Sequence, residues 1–176
     1  LSGSNLKSLP ESIGQLVNLQ TLHLHNNDLT DLPASLARLT QLAYLDLRFH
    51  KLTTIPAAVL GLPNLQYLFL GGNKLAEPIT ADVSKLRSLF RLSLVNTGIS
   101  TVPASIVNCP GLEELDLAYN KFKAVPAELA RIPKLKSVRL SGMKKITKLP
   151  TDLVTKPTLE TIEADGTKLK ESDVFA

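Results

Sequence analysis

The 176-residue sequence predicts an α/β solenoid: one curved array of short parallel strands, backed by mostly extended or 3-10 segments. Three observations predict it. A leucine-centred pattern restarts at Leu16, Leu39, Leu62, Leu86, Cys109, Ile132 and Lys156, so the period is 23 or 24 residues throughout. Within each unit, leucines alternate with variable residues, as in Tyr44-Leu45-Asp46-Leu47 and Tyr67-Leu68-Phe69-Leu70. That alternation marks a short strand with one face buried and one open. A proline-bearing segment then closes most units, as in Leu32-Pro33 and Val125-Pro126.

Taken in order, the chain enters in mid-unit. Residues 1–15 hold Leu6, Leu9, Pro10 and Ile13 at the places where a second half-unit carries them. Full units follow from 16, 39, 62, 86, 109 and 132, and a partial unit occupies 156–176. A single unit cannot bury its leucines, so neighbours must supply the walls, and the array becomes one domain with a continuous apolar core. Proline fixes φ and removes a donor, which makes the segment behind each strand extended or a short 3-10 turn. The unit at Leu75-Ala76-Glu77-Pro78-Ile79-Thr80 carries one added residue. So does the unit after Met143, where Ile146 falls one place late.

The shared pattern, L-x-x-L-x-x-L-x-L-x-x-N-x-L-x-x-L-P-x-x-L/I, resembles the leucine-rich repeat family, in its 23-residue class with an LP motif. The resemblance covers essentially the whole chain. It implies that the Asn position turns inward and bonds the backbone of adjacent turns. That position reads Asn27, His50, Asn73, Thr97, Asn120, Met143 and Thr167. Thr can replace part of that bonding and Met cannot, so the turn at Met143 should differ. The unit around Thr80 looks like the 24-residue plant-type repeat. Strands on one side and wider segments on the other imply a shallow curve with the strands concave.

Composition narrows the function. The net charge is +4, with 44% hydrophobic and 20% charged residues. Residues 121–176 carry twelve Lys and Arg against seven Asp and Glu, but the lysines are scattered among the acids. This fits a solvated surface better than a nucleic-acid footprint. No apolar run approaches the roughly 20 residues of a membrane-spanning helix. One cysteine, Cys109, excludes an internal disulfide, and no Asn-x-Ser/Thr acceptor occurs. Both point to a reducing setting, cytoplasmic or inside a host cell. Neither end shows a recognisable polar cap, although Leu169–Ala176, with Glu171, Ser172 and Asp173, offers a makeshift cover. The chain is therefore expected to be a fragment of a longer protein.

Function must come from the positions that alternate outward, since the others build the core. Before the first alternating leucine stand Thr21, Tyr44, Tyr67, Arg91, Glu114, Ser137 and Thr161. Between the two stand His23, Asp46, Phe69, Ser93, Asp116, Arg139 and Glu163. After them come His25, Arg48, Gly71, Val95, Ala118, Ser141 and Asp165, and at the rim Asn26, Phe49, Gly72, Asn96, Tyr119, Gly142 and Gly166. Five of the eight aromatics (Tyr44, Phe49, Tyr67, Phe69 and Tyr119) fall in these columns, where chance would put one or two. Aromatics give large contact area at small entropic cost, so they mark a binding surface rather than mere tiling of the sheet. Arg48 and Arg91 flank the cluster and could clamp a carboxylate or stack on a ring. Toward the C-terminal end, Glu114, Asp116, Glu163 and Asp165 suggest a partner with positive charge there.

Other chemistry is weaker. His23, His25 and Asp46 could ligate zinc, but the site would be open and the pattern unspecific, so they are read as contact residues and no metal is expected. His23, Asp46 and Ser93 lie on strands too far apart for a hydrolytic triad. Cys109 holds a leucine position and should be a buried small hydrophobe. Gly71-Gly72 lacks the helix and Lys of a phosphate loop and should instead leave room beside Tyr67 and Phe69. The sequence thus indicates a monomeric, non-catalytic module without cofactor, binding a protein or peptide on its concave face. The contacts would be Tyr44, Asp46, Arg48, Phe49, Tyr67, Phe69, Arg91, His23, His25, Glu114, Asp116 and Tyr119. The resemblance leaves two other settings open. One is the recruiting arm of a larger enzyme, such as a secreted bacterial effector with ubiquitin-ligase-like activity, or part of a plant immune receptor or kinase. The other is an extracellular receptor fragment.

Overall fold

A computed structural model describes residues 1–170. Seven three-residue strands form one parallel sheet in sequence order. They are β1 (Thr21–His23), β2 (Tyr44–Asp46), β3 (Tyr67–Phe69), β4 (Arg91–Ser93), β5 (Glu114–Asp116), β6 (Ser137–Arg139) and β7 (Thr161–Glu163). The register places Leu22, Leu45, Leu68, Leu92, Leu115, Val138 and Ile162 opposite one another. This is the expected solenoid. Each unit lays its leucines on those of the next, and Leu24, Leu45, Leu47, Leu68, Leu70, Leu92 and Leu94 have no exposed surface. Burying one such side chain contributes roughly 1.5–3 kcal/mol.

The side opposite the strands is built as the prolines require. Five short 3-10 turns span Glu11–Gln15, Ala34–Arg38, Val83–Lys85, Ala104–Asn108 and Ala127–Arg131. Two single-turn helices, α1 (Ala57–Leu60) and α2 (Thr151–Val154), complete it. Pro10, Pro33, Pro56, Pro103, Pro126 and Pro150 each stand immediately before one of these segments, in extended backbone. The unit without proline at that point uses Asp82 instead, whose side chain accepts from the Ser84 N–H at 3.2 Å.

The Asn position behaves as the resemblance implies. Asn73 donates to the Leu47 and Leu70 carbonyls at 2.8 Å each and accepts from the Leu52 N–H at 3.1 Å. Asn120 donates to Leu94 and Leu117 and accepts from the N–H groups of Thr97, Gly98 and Ile99. Thr97 keeps part of this, donating to the Leu94 carbonyl at 2.9 Å. Met143 is buried and apolar, and its turn closes through backbone alone, with the Ile146 N–H donating to the Met143 carbonyl at 3.1 Å. His50 is the awkward substitute. Its Nδ1 faces the Leu29 N–H at 3.3 Å, while Nε2 is buried with no hydrogen-bond partner. Burial pushes the His50 ring below its ordinary pKa, and contacts with the Asn27 and Leu24 carbonyls offset this only partly.

Leu1, Leu16 and Val17 are exposed apolar residues at the first units. The makeshift cover proposed on Glu171, Ser172 and Asp173 lies outside the described residues. Among the described residues, no helix is long and apolar enough to cross a membrane.

Candidate functional site: the open face of the sheet

The strands hold their variable residues outward, as alternation requires, but direction does not fix exposure. Side chains in one column are neighbours about 4.8 Å apart on adjacent strands, so a short one beside long ones is overgrown. Asp46 lies beside His23 and Phe69 in register and is 0% exposed. Ser93 and Asp116, next to Phe69 and Arg139, are also buried, as are Ala118 and Ser141 in the following column. Asp46 and Asp116, expected as open contacts, are therefore corrected to buried supports of the face.

These two carboxylates occupy equivalent places and behave oppositely. Asp46 accepts from Arg48 Nε at 2.9 Å and Nη2 at 2.6 Å, and from the Arg48 N–H at 3.1 Å. Burial pushes the Asp46 carboxyl up, but these bonds together hold it below its ordinary value. Asp116 accepts from the Ala118 N–H at 3.1 Å, and Arg139 approaches only to 3.4 Å because it also pairs with Glu163 at 2.8 Å. Here burial wins and raises the carboxyl. Glu114 is likewise paired, with Arg91 at 3.1 Å. The acidic stretch expected toward the C-terminal end is thus largely balanced within the face, with Asp165 left at its margin.

The aromatic cluster is real and continuous. His23 meets Tyr44 at 5.0 Å between ring centroids, Tyr44 meets Phe69 at 5.1 Å and Tyr67 at 6.0 Å, and Tyr67 meets Phe90 at 5.7 Å. Tyr44, Tyr67 and Phe69 are half-buried by this mutual packing, with their outer surfaces open. The guanidinium carbons of Arg48 and Arg91 both stand 5.6 Å from the Phe69 centroid, so the stacking option for those arginines holds. Phe90 and Arg139 were missed as site residues. Phe90 sits one place before the outward columns, and Arg139 lies within them without an aromatic or a second arginine beside it in sequence to single it out.

Phe69, Arg48, Arg91 and Arg139 border a depression of about 470 Å³ whose floor includes Gly71, Ser93 and Val95. Phe49 and Tyr119 stand at its rim. Both take left-handed backbone, each with φ 59°, and both are exposed, at 53% and 62%. The same offset holds Asn26, Gly72, Asn96, Gly142 and Gly166, all also at positive φ. Asn and Gly tolerate this region, whereas bulky residues rarely adopt it. Each ring lies against the next unit's glycine. A Cβ on Gly72 would meet Phe49 Cδ1 at 2.3 Å, and one on Gly142 would meet Tyr119 Cδ1 at 2.4 Å. The space expected beside Gly72 is therefore filled by the Phe49 ring, which corrects the view that it is left free for a ligand.

Elsewhere on the face, His25 Nδ1 lies 3.2 Å from Asp46 Oδ2 and 3.2 Å from Ser2 Oγ. Cys109 is buried, and burial raises its thiol to about 11, which suits a packing role.

A one-sheet parallel array with a polar turn ladder, proline-led backs and a varied open face defines a repeat-built solenoid. Residues 17–75 match the leucine rich repeat family model, and the fold is that of a leucine-rich-repeat solenoid. A search of curated proteins returns no match. Among solved structures, it is similar to a leucine-rich repeat protein of Leptospira interrogans, with 29% identity and a TM-score of 0.70 over 96% of this chain and 48% of that one. It is also similar to the Arabidopsis thaliana receptor-kinase ectodomain GASSHO1/SCHENGEN3, solved in complex with CASPARIAN STRIP INTEGRITY FACTOR 2. There the identity is 27% and the TM-score 0.65, over 99% of this chain and 24% of that one. An internalin of Listeria monocytogenes shares the fold at 23% identity and a TM-score of 0.71, covering 97% of this chain and 48% of its own. The chain spans about half the length of the two bacterial proteins and a quarter of the plant ectodomain.

Proposed function

We propose that this chain is a non-catalytic interaction module that binds a protein or peptide segment across its concave, strand-lined face. One observation carries the reading: Phe49 and Tyr119 are held exposed, in a backbone region unfavourable to aromatics, at the rim of a depression bordered by Phe69. Such strain, of order 1–3 kcal/mol per residue, persists where the surroundings impose it and concentrates at functional sites. Three strand steps separate the two rings, about 14 Å, which suits several residues of an extended segment laid across the strands. The half-buried Tyr44, Tyr67 and Phe69 supply preorganised apolar area, and the arginines around Phe69 supply polar anchors. The GASSHO1/SCHENGEN3 ectodomain, which shares this architecture, binds its factor in the solved complex.

The test starts with affinity capture of a partner, followed by calorimetric titration of purified variants. Phe69→Ala and Tyr119→Asn should each weaken binding by about 2 kcal/mol. Tyr119→Asn should leave the melting temperature nearly unchanged, because Asn accepts the left-handed backbone. Wild-type affinity in both variants would remove the open face from consideration.

A further inference from the structure

We propose that His23, His25 and Asp46 form a divalent transition-metal site, best suited to Zn2+, at the N-terminal end of the open face. His23 and His25 stand two apart on one extended segment, so both rings project to the same side, and Asp46 is the in-register neighbour of His23 on β2. One donor atom from each residue lies within 4.8 Å of the other two. Tetrahedral zinc with 2.0–2.2 Å bonds needs donors roughly 3.4 Å apart, and His25 Nδ1 already stands 3.2 Å from Asp46 Oδ2. The remaining closure falls to His23, whose exposed ring leaves its packing on Tyr44 to turn about χ1 and χ2. Two imidazoles and a carboxylate match the borderline softness of zinc. Three protein ligands leave a fourth position toward solvent, open to water or to a donor from a bound ligand.

The site is supported from below. Asp46 has no exposed surface, and the Arg48 guanidinium and the Arg48 N–H, at 2.6–3.1 Å, hold its carboxylate in place. Ser2 Oγ lies 3.2 Å from the same His25 Nδ1 and gives up that contact when the metal takes the nitrogen. Arg48 is the competitor. Its guanidinium occupies both Asp46 oxygens, but the side chain is 42% exposed and can swing away as the metal takes Oδ2.

The chain has three histidines, and the third, His50, is buried in the turn ladder, so the test is clean. The purified chain, free of any polyhistidine tag, is titrated with Zn2+ by calorimetry and with Co2+ by visible absorption. One equivalent should bind, with the intense visible bands of four-coordinate Co2+. His23→Ala and His25→Ala should each weaken binding by at least tenfold, and both are surface changes that leave the circular dichroism unaltered. Arg48→Gln should tighten binding, since it frees the carboxylate and removes a neighbouring positive charge. No saturable binding up to millimolar Zn2+, or unchanged binding in the double His variant, overturns the site. Weakening by Arg48→Gln would overturn the coordination by Asp46.

Discussion

Asp46 and Asp116 show how one residue type at one repeat position acquires opposite energetics. Asp46 is held by a two-pronged guanidinium, so its folded pKa lies below the unfolded value. The stability it contributes is present above about pH 4 and is lost as pH falls through that range. Asp116 is raised, so the folded state resists its ionisation and is penalised near neutral pH. Asp46→Asn should therefore cost about 1–3 kcal/mol at pH 7, while Asp116→Asn should be neutral or stabilising, as read by urea denaturation. His50 gives a second pH signature. Its folded pKa is lowered, so the unfolded chain takes up the proton first, and stability falls as pH drops below about 6.5. His50→Asn should flatten that slope and add about 1 kcal/mol at pH 7 by restoring the bonding seen at Asn73. Denaturation midpoints at pH 7.5 and 5.5, compared between the two chains, check both statements.

Each unit is a strand, a turn ladder, a rim residue and a proline-led back. The glycine after a rim aromatic belongs to this level, because its lack of a Cβ seats the ring of the preceding unit. Gly72→Ala should displace the Phe49 ring and destabilise by about 1–2 kcal/mol, through both the clash and the positive φ. Thermal melts, with the Phe49 ring followed by NMR, would show it. Strands and 3-10 backs were legible in the sequence, since Leu45, Leu68 and Pro33 sit at fixed offsets whose physics is local. Height above the sheet was not legible. Alternation tells which way Asp46 points, but its burial depends on His23 and Phe69, one period away in either direction. The strain at Phe49 and Tyr119 was available in principle: Asn26, Gly72, Asn96, Gly142 and Gly166 at that offset already name a left-handed position. Phe90 escaped because it precedes the strand and reaches Tyr67 sideways.

The array as a whole is held by contacts between successive units, in a sheet ordered as the chain is ordered. Stability then behaves as a sum over units and their interfaces, and a defect in the middle severs two interfaces where one at an end severs one. Leu68→Ala, in the fully buried ladder, should destabilise by about 2–5 kcal/mol through cavity formation. Leu9→Ala, near the first unit and still 8% exposed, should cost less. Chemical denaturation of both variants measures the difference.

The seating of a ring on the following glycine has a consequence for how such a face can change. An aromatic may enter the rim of one repeat only if its successor is bare, and its own arrival forbids a large residue in the repeat before it. Phe49 with Gly72 and Tyr119 with Gly142 obey this two-letter grammar, and Asn96, followed by Tyr119, has no vacant seat. Specificity at this edge is therefore written in pairs a full period apart, and a lone substitution would be misspelt.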